Sequence, residues 1–335
     1  MPPVKRRVLI LHTGGTLGMR PRAADQALAP DEFGSVILES VPELAEIAAI
    51  DARVLCNLDS CDVTPAHWES FAREIAGAID RWDGIVVTHG TDAMAYTASA
   101  LSFLLRNLGK PVILTGAQRP LADPRSDGRA NLVGAVDLAT RPIPEVGIYF
   151  DGHLLRGNRT TKRSSFAFAA YRSPNFPPLA EIGTDVRMMS EPLRPRGPLA
   201  IEGGYDARVA AVRLLPGQPA EPLRALAGSG VGAVLLQAFG VGNIPVVDRG
   251  VARAIATLVE AGVVVAIGSQ SLHGRVDLSH YAGGRLAREV GAVGTGDMTT
   301  EAAAVKLMYL LGTYGSAQEV RERLCTPIAG EVTPG

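Results

Sequence analysis

The chain has 335 residues, 47% of them hydrophobic and 5% aromatic, so it can bury the cores of one large and one smaller domain. Its net charge of −1 and its few rings argue against a partner that is nucleic acid or an anionic membrane. The basic start, residues 1–7, carries no apolar secretory core of roughly 7–15 residues, and no run nears the roughly 18 apolar residues of a membrane helix, so a cytoplasmic protein is expected.

The first predicted strand is Val8-Leu9-Ile10-Leu11, which leads into His12-Thr13-Gly14-Gly15-Thr16. A second apolar run, Ile85-Val86-Val87, leads into Thr88-His89-Gly90-Thr91-Asp92. Short β-branched runs ending in Gly and Thr read as buried strands that spill into tight loops. In an open α/β sheet, ligands sit outside the carboxyl ends of the strands, where both loops fall. Glycine permits close backbone approach. Each terminal threonine then offers a hydroxyl that a base can turn into a nucleophile. Two such loops point to hydrolysis of a small molecule.

Asp59-Ser60-Cys61-Asp62 has good turn composition. Helical spacing of Met94, Ala95, Ala98, Leu101, Leu104 and Leu105 predicts a helix over 92–105, with Asp92 at its start and Gly109 beyond its end. Pro111–Thr115 reads as a strand whose exit loop is Gly116-Ala117-Gln118. Arg125-Ser126-Asp127-Gly128 opens a helix toward Ala139, and Glu145–Phe150 is again a strand. This alternation predicts parallel βαβ units. Between Ser173 and Pro198 six prolines predict an irregular crossing and linker. Alternation resumes with a strand over 233–237, a helix over 247–261, a strand over 263–267 and a helix over 298–311. The expected fold is α/β. A larger N-terminal parallel-sheet α/β domain (1–190) is followed by a linker (191–207) and a smaller C-terminal α/β domain (208–335).

Cys56, Cys61 and Cys325 form no even framework and read as reduced thiols. His273 and His280 lack a third ligand nearby, so no metal site is expected. His12 and His89 adjoin no Ser or Cys to activate, which favours packing or loop hydrogen bonding. The chain has no phosphate loop, no G-x-G-x-x-G order and no G-x-S-x-G elbow.

Four segments carry a resemblance: Thr13-Gly14-Gly15-Thr16, His89-Gly90-Thr91-Asp92-Ala93-Met94, Arg125-Ser126-Asp127-Gly128, and Arg156-Gly157-Asn158-Arg159-Thr160-Thr161-Lys162. With Ala95–Phe103 and Gly296–Ala302, they resemble the bacterial-type L-asparaginases, closest to the cytoplasmic type I branch, over nearly the whole chain. The resemblance implies hydrolysis of the L-asparagine side-chain amide without a cofactor. Thr16 matches the family's nucleophile, and Thr91, Asp92 and Lys162 match a second triad in which lysine helps deprotonate threonine. A lysine flanked by a carboxylate and a hydroxyl can share or accept a proton. By the same resemblance, the backbone N–H groups of Thr91 and Ala117 form the oxyanion hole. Gly15, Ser60, Cys61 and Asp92 line the substrate, and Asn243 reaches the site of a neighbouring subunit in a homodimer or homotetramer. Plainer roles stay open: Asp92 as a helix cap, Lys162 as a solvated lysine, Ser60 and Cys61 as a strand end, Asn243 as a turn residue.

Three positions depart from the family pattern. The family's mobile loop carries a tyrosine that orients the nucleophile, whereas Arg20–Pro30 has none and Leu28 or a neighbour stands there. Cys61 and Ala93 replace the more usual Ser or Gln and Thr. A different small amide or ester, or a weakly active amino-acid-binding role, therefore stays open beside asparagine hydrolysis, as does an ammonia-supplying module.

Overall fold

The computed structural model describes residues 5–18 and 33–334. They form two compact units, Met1–Glu202 and Gly203–Gly335. In the first unit the strands are β1 (Arg7–Gly14), β2 (Ala49–Leu58), β3 (Gly84–Thr88), β4 (Leu105–Arg106), β5 (Val112–Thr115) and β6 (Val146–Phe150). They continue with β7 (His153–Arg156), β8 (Thr161–Lys162), β9 (Tyr171–Arg172), β10 (Ala180–Ile182), β11 (Val186–Met188) and β12 (Ala200–Ile201). The helices are α1 (Phe33–Ser40), α2 (Leu44–Ile47), α3 (Pro65–Ala78), α4 (Met94–Leu104) and α5 (Gly128–Ala139).

Eight strands make one sheet in the order β11-β10-β7-β6-β5-β3-β1-β2. From β2 to β6 the pairing is parallel, with β1 between β2 and β3. Along β1, Val8 and Ile10 pack with Val86, Ile113, Leu132 and Val136 in one core cluster. Leu9 and Leu11, which alternate with them, are also buried. Both faces are thus covered, as a parallel sheet requires and as the continuous apolar runs predicted.

The far edge corrects the sequence expectation. β7, β10 and β11 pair antiparallel, so the sheet is mixed. Residues 173–198 are not wholly irregular, because the proline-free window between Pro178 and Pro192 folds as the β10–β11 hairpin at the sheet edge. Prolines exclude strand pairing only where they stand, and an edge tolerates them nearby.

The second unit has a four-stranded parallel sheet, β13 (Val209–Arg213), β14 (Ala233–Ala238), β15 (Val264–Ser269) and β16 (Val293–Gly294), in sequence order. Its helices are α6 (Glu221–Ala225), α7 (Gly250–Glu260), α8 (Ala282–Glu289), α9 (Thr300–Tyr314) and α10 (Ala317–Arg323). Inside it, Lys306 of α9 is fully buried. Its Nζ donates to Glu331 Oε1 at 2.5 Å and to the Thr326 carbonyl at 2.7 Å. Glu331 also accepts the N–H groups of Ile328 and Ala329, so both charged groups of the buried pair have further hydrogen bonds. Among the described residues no helix is long and apolar enough to cross a membrane.

Candidate active site

The last register pair of β1 and β3 is His12 with Thr88, so both threonine loops leave the sheet side by side. Gly14 and Gly15 take φ of +111° and +87°, which turns the chain sharply at the end of β1. A Cβ on Gly15 would stand 2.4 Å from Gly90 Cα, and one on Gly90 would stand 2.8 Å from Ser60 Oγ. The Gly15 and Gly90 loops therefore meet backbone to backbone, with the Ser60 side chain packed against Gly90, and only glycine permits it. Thr13 Oγ1 donates to the Thr88 carbonyl at 3.0 Å, and His12 Nδ1 lies 2.8 Å from Thr88 Oγ1. These bonds hold the two strand ends together beneath Thr16, which opens a short 3-10 turn, Thr16–Gly18, half-buried.

Lys162 lies on β8 and projects to the second loop. Its Nζ is 2.8 Å from Thr91 Oγ1 and 2.7 Å from Asp92 Oδ1. The Lys162 side chain is only 16% exposed, so it is not a solvated lysine. Asp92 does not cap α4 either. Ala93 occupies the cap position without a side-chain bond, and the Asp92 carboxylate is turned to Lys162 instead.

Ser60 is buried in the 3-10 turn Ser60–Asp62, where its Oγ accepts the Ala93 N–H in a long bond of 3.4 Å. Cys61 beside it is exposed, with its N–H capped by Asp59 at 2.9 Å. The Asp59 carboxylate, hydrogen-bonded to the thiol, raises the Cys61 pKa and disfavours the thiolate nucleophile. Ala117 is buried in the loop after β5. Asp127 fixes that loop by accepting the N–H groups of Gln118 and Arg119 at 3.0 and 3.1 Å and the Asn131 amide at 3.1 Å. This explains the Arg125–Gly128 segment physically. Asn243 belongs to the second unit, where its backbone pairs with Phe239 in a tight turn. The loop Arg20–Pro30, with Leu28, lies outside the described residues.

Two side chains at the site were not among the expected site residues. Thr91 Oγ1 donates to Gln118 Oε1 at 3.3 Å, while Gln118 Nε2 donates to the Ala167 carbonyl at 3.2 Å, which fixes the amide's orientation. Tyr171, paired with Lys162 across the β8–β9 hairpin, donates its hydroxyl to the Thr91 carbonyl. Gln118 sits at a strand exit as Thr91 does, a position that could have flagged it. Nothing in the sequence links Tyr171 to Thr91.

His12 and His89 are buried, and burial lowers each pKa to about 4, so both imidazoles are neutral at working pH. The arrangement is suited to acyl transfer: hydroxyls at two adjoining strand ends, a lysine shared between hydroxyl and carboxylate, and backbone N–H groups on glycine-rich loops.

Comparison with known proteins gives the same answer along the whole chain. Residues 7–194 match the family described as "Asparaginase, N-terminal", and residues 208–324 match the "Glutaminase/Asparaginase C-terminal domain". The chain is similar to L-asparaginase 1 of Escherichia coli K12, 38% identical over 339 residues that cover 98% of this chain and 99% of that one. Its fold is similar to the crystal structure of L-asparaginase I from Vibrio cholerae, with a TM-score of 0.89, 38% identity and coverage of 98% and 100%. The thermostable L-asparaginase of Thermococcus kodakarensis is as similar, with a TM-score of 0.90, 36% identity and the same coverage.

Proposed function

Since this chain belongs to the asparaginase family, we propose that it is an L-asparagine amidohydrolase, releasing L-aspartate and ammonia by threonine-based catalysis. The observation that carries the reading is Lys162 Nζ held between Thr91 Oγ1 and Asp92 Oδ1 at 2.8 and 2.7 Å. In this mechanism the Thr16 hydroxyl attacks the amide carbon, and the Thr91 and Ala117 N–H groups hold the oxyanion. The C–N bond breaks, ammonia leaves with the Thr16 proton, and the acyl group remains as an ester on Thr16. Lys162, poised by Asp92 and neutral at this step, takes a proton through Thr91 from the water that attacks the ester and returns a proton to the departing Thr16 oxygen, which restores the Thr16 hydroxyl and frees aspartate. Gly15, Ser60, Cys61 and Asp92 line the substrate's α-amino and α-carboxylate groups. Asn243 completes the site of a neighbouring copy in a homo-oligomer, and the enzyme works in the cytoplasm.

The test is ammonia release from L-asparagine, L-glutamine and a set of small aspartyl amides. Asparagine is expected to give the highest kcat/KM. Faster turnover of another amide would replace the substrate, and no turnover of any would sink the reading.

A further inference from the structure

Beside the triad, four buried groups form a hydrogen-bonded chain whose proton positions can be deduced. Trp68 Nε1 is 3.0 Å from Thr97 Oγ1, Thr97 Oγ1 is 3.0 Å from His89 Nε2, and His89 Nδ1 is 2.7 Å from the Gly90 carbonyl oxygen. An indole N–H only donates and a carbonyl oxygen only accepts, so both ends of the chain are fixed. His89 Nδ1 must carry a hydrogen to meet Gly90 O. The ring is neutral, which leaves Nε2 bare to accept the Thr97 hydroxyl, while Thr97 accepts from Trp68.

The Gly90 carbonyl belongs to the peptide whose N–H is that of Thr91. In a planar trans peptide, C=O and N–H point in opposite directions, so a carbonyl held on one side aims the N–H to the other. Among the described residues nothing accepts the Thr91 N–H. The same loop is confined from beyond by Gly15, whose added Cβ would collide with Gly90 N at 2.5 Å.

We propose that His89 is a positioning residue for the amide hydrolysis, its Nδ1–H holding the Gly90 carbonyl so that the Thr91 N–H is aimed at the developing oxyanion. The proposal rests on the oxyanion role given to Thr91 above. It places His89 outside proton transfer altogether. A donor aimed at charge that exists only in the transition state affects kcat and leaves ground-state binding alone.

Two amide substitutions separate this role from simple core filling. His89→Asn sets an N–H near the place of Nδ1, whereas His89→Gln sets its polar group near the place of Nε2, where it can serve Thr97 but not Gly90. Both lose the ring, so both should lower Tm to a similar extent. His89→Gln is expected to lower kcat about tenfold, part of the 10²–10³-fold that a lost oxyanion donor costs, with KM within about twofold of wild type. His89→Asn is expected to stay within about threefold in kcat. The assay uses the best amide of the substrate panel, so a wrong assignment of asparagine shows in the wild type and not in the variant ratio. Equal kcat losses in the two variants, or a reversed order, would overturn the proposal. Nitrogen-15 NMR of the wild-type protein gives a second decision that needs no turnover: His89 must show a protonated Nδ1 and a bare Nε2, and the opposite tautomer ends the argument.

Discussion

Replacing Lys162 by methionine and by arginine separates proton transfer from charge. The Lys162–Asp92 pair is short, 2.7 Å, but the Asp92 side chain is 63% exposed. Solvent screening limits such a pair to about 1 kcal/mol of stability. Lys162→Met should therefore lower Tm by only about 1–2 °C in a chain of 335 residues. Its effect on turnover should be larger. In the relay proposed above Nζ is the proton acceptor, so its removal should lower kcat at least about 10²-fold, equivalent to about 2.7 kcal/mol of transition-state stabilisation. Lys162→Arg keeps the charge, yet a guanidinium does not release its proton at working pH. It should lose kcat to a comparable extent while Tm stays near the wild-type value. The assay is steady-state ammonia release, with kcat and KM fitted separately, alongside thermal unfolding of each variant. An arginine variant with wild-type kcat would refute the relay and leave Lys162 a source of positive charge only.

Thr16→Ala and Thr91→Val should each lower kcat at least about 10²-fold with nearly unchanged folding, and a variant that keeps its turnover removes that threonine from the mechanism. Stability should fall on acidification. His12 and His89 have pKa values near 4 in the fold against 6.5 ordinarily, so between those limits the unfolded chain binds two protons that the folded protein refuses. Stability is then full above about pH 6.5 and drops toward pH 4, on the order of 3 kcal/mol per histidine; a urea midpoint that stays flat from pH 6.5 to 4.5 contradicts it. Gly15→Ala should cost about 2–4 kcal/mol, because it combines φ of +87° with a Cβ 2.4 Å from Gly90 Cα. A loss under about 0.5 kcal/mol in chemical denaturation would show that the loops can part.

The two threonine loops were legible because burial on both faces of a parallel sheet writes a continuous apolar run, and a tight exit writes glycine. The α4 helix followed from spacing and α5 from the segment that opens it, within two or three residues of their observed ends. The β10–β11 hairpin was hidden because three-residue edge strands carry no period, and flanking prolines dominate the local reading. Asp92 shows a deeper limit. Its place ahead of a helix suits a cap, and only the arrival of Lys162, seventy residues later in sequence, decides against one. Tyr171 is the same case, since its hydroxyl finds the Thr91 carbonyl through the hairpin it shares with Lys162. Contacts made by folding leave no local mark.

The buried pair in the second unit sets an order of events during synthesis. Chains emerge from the amino end, and α9 is made before the segment that supplies Glu331, twenty-five residues after Lys306. Until that carboxylate arrives, burying Lys306 would strand an unpaired charge, at a cost of several kcal/mol. A nascent second unit must therefore keep this lysine in water and its α9 face incompletely packed. Docking of residues 325–331 supplies the Glu331 carboxylate and the Thr326 carbonyl that Lys306 bonds in the folded unit. Any chain terminated between the two residues would carry an acquired defect in its interior, visible to proteases as a loosened α9 and not as a shortened tail.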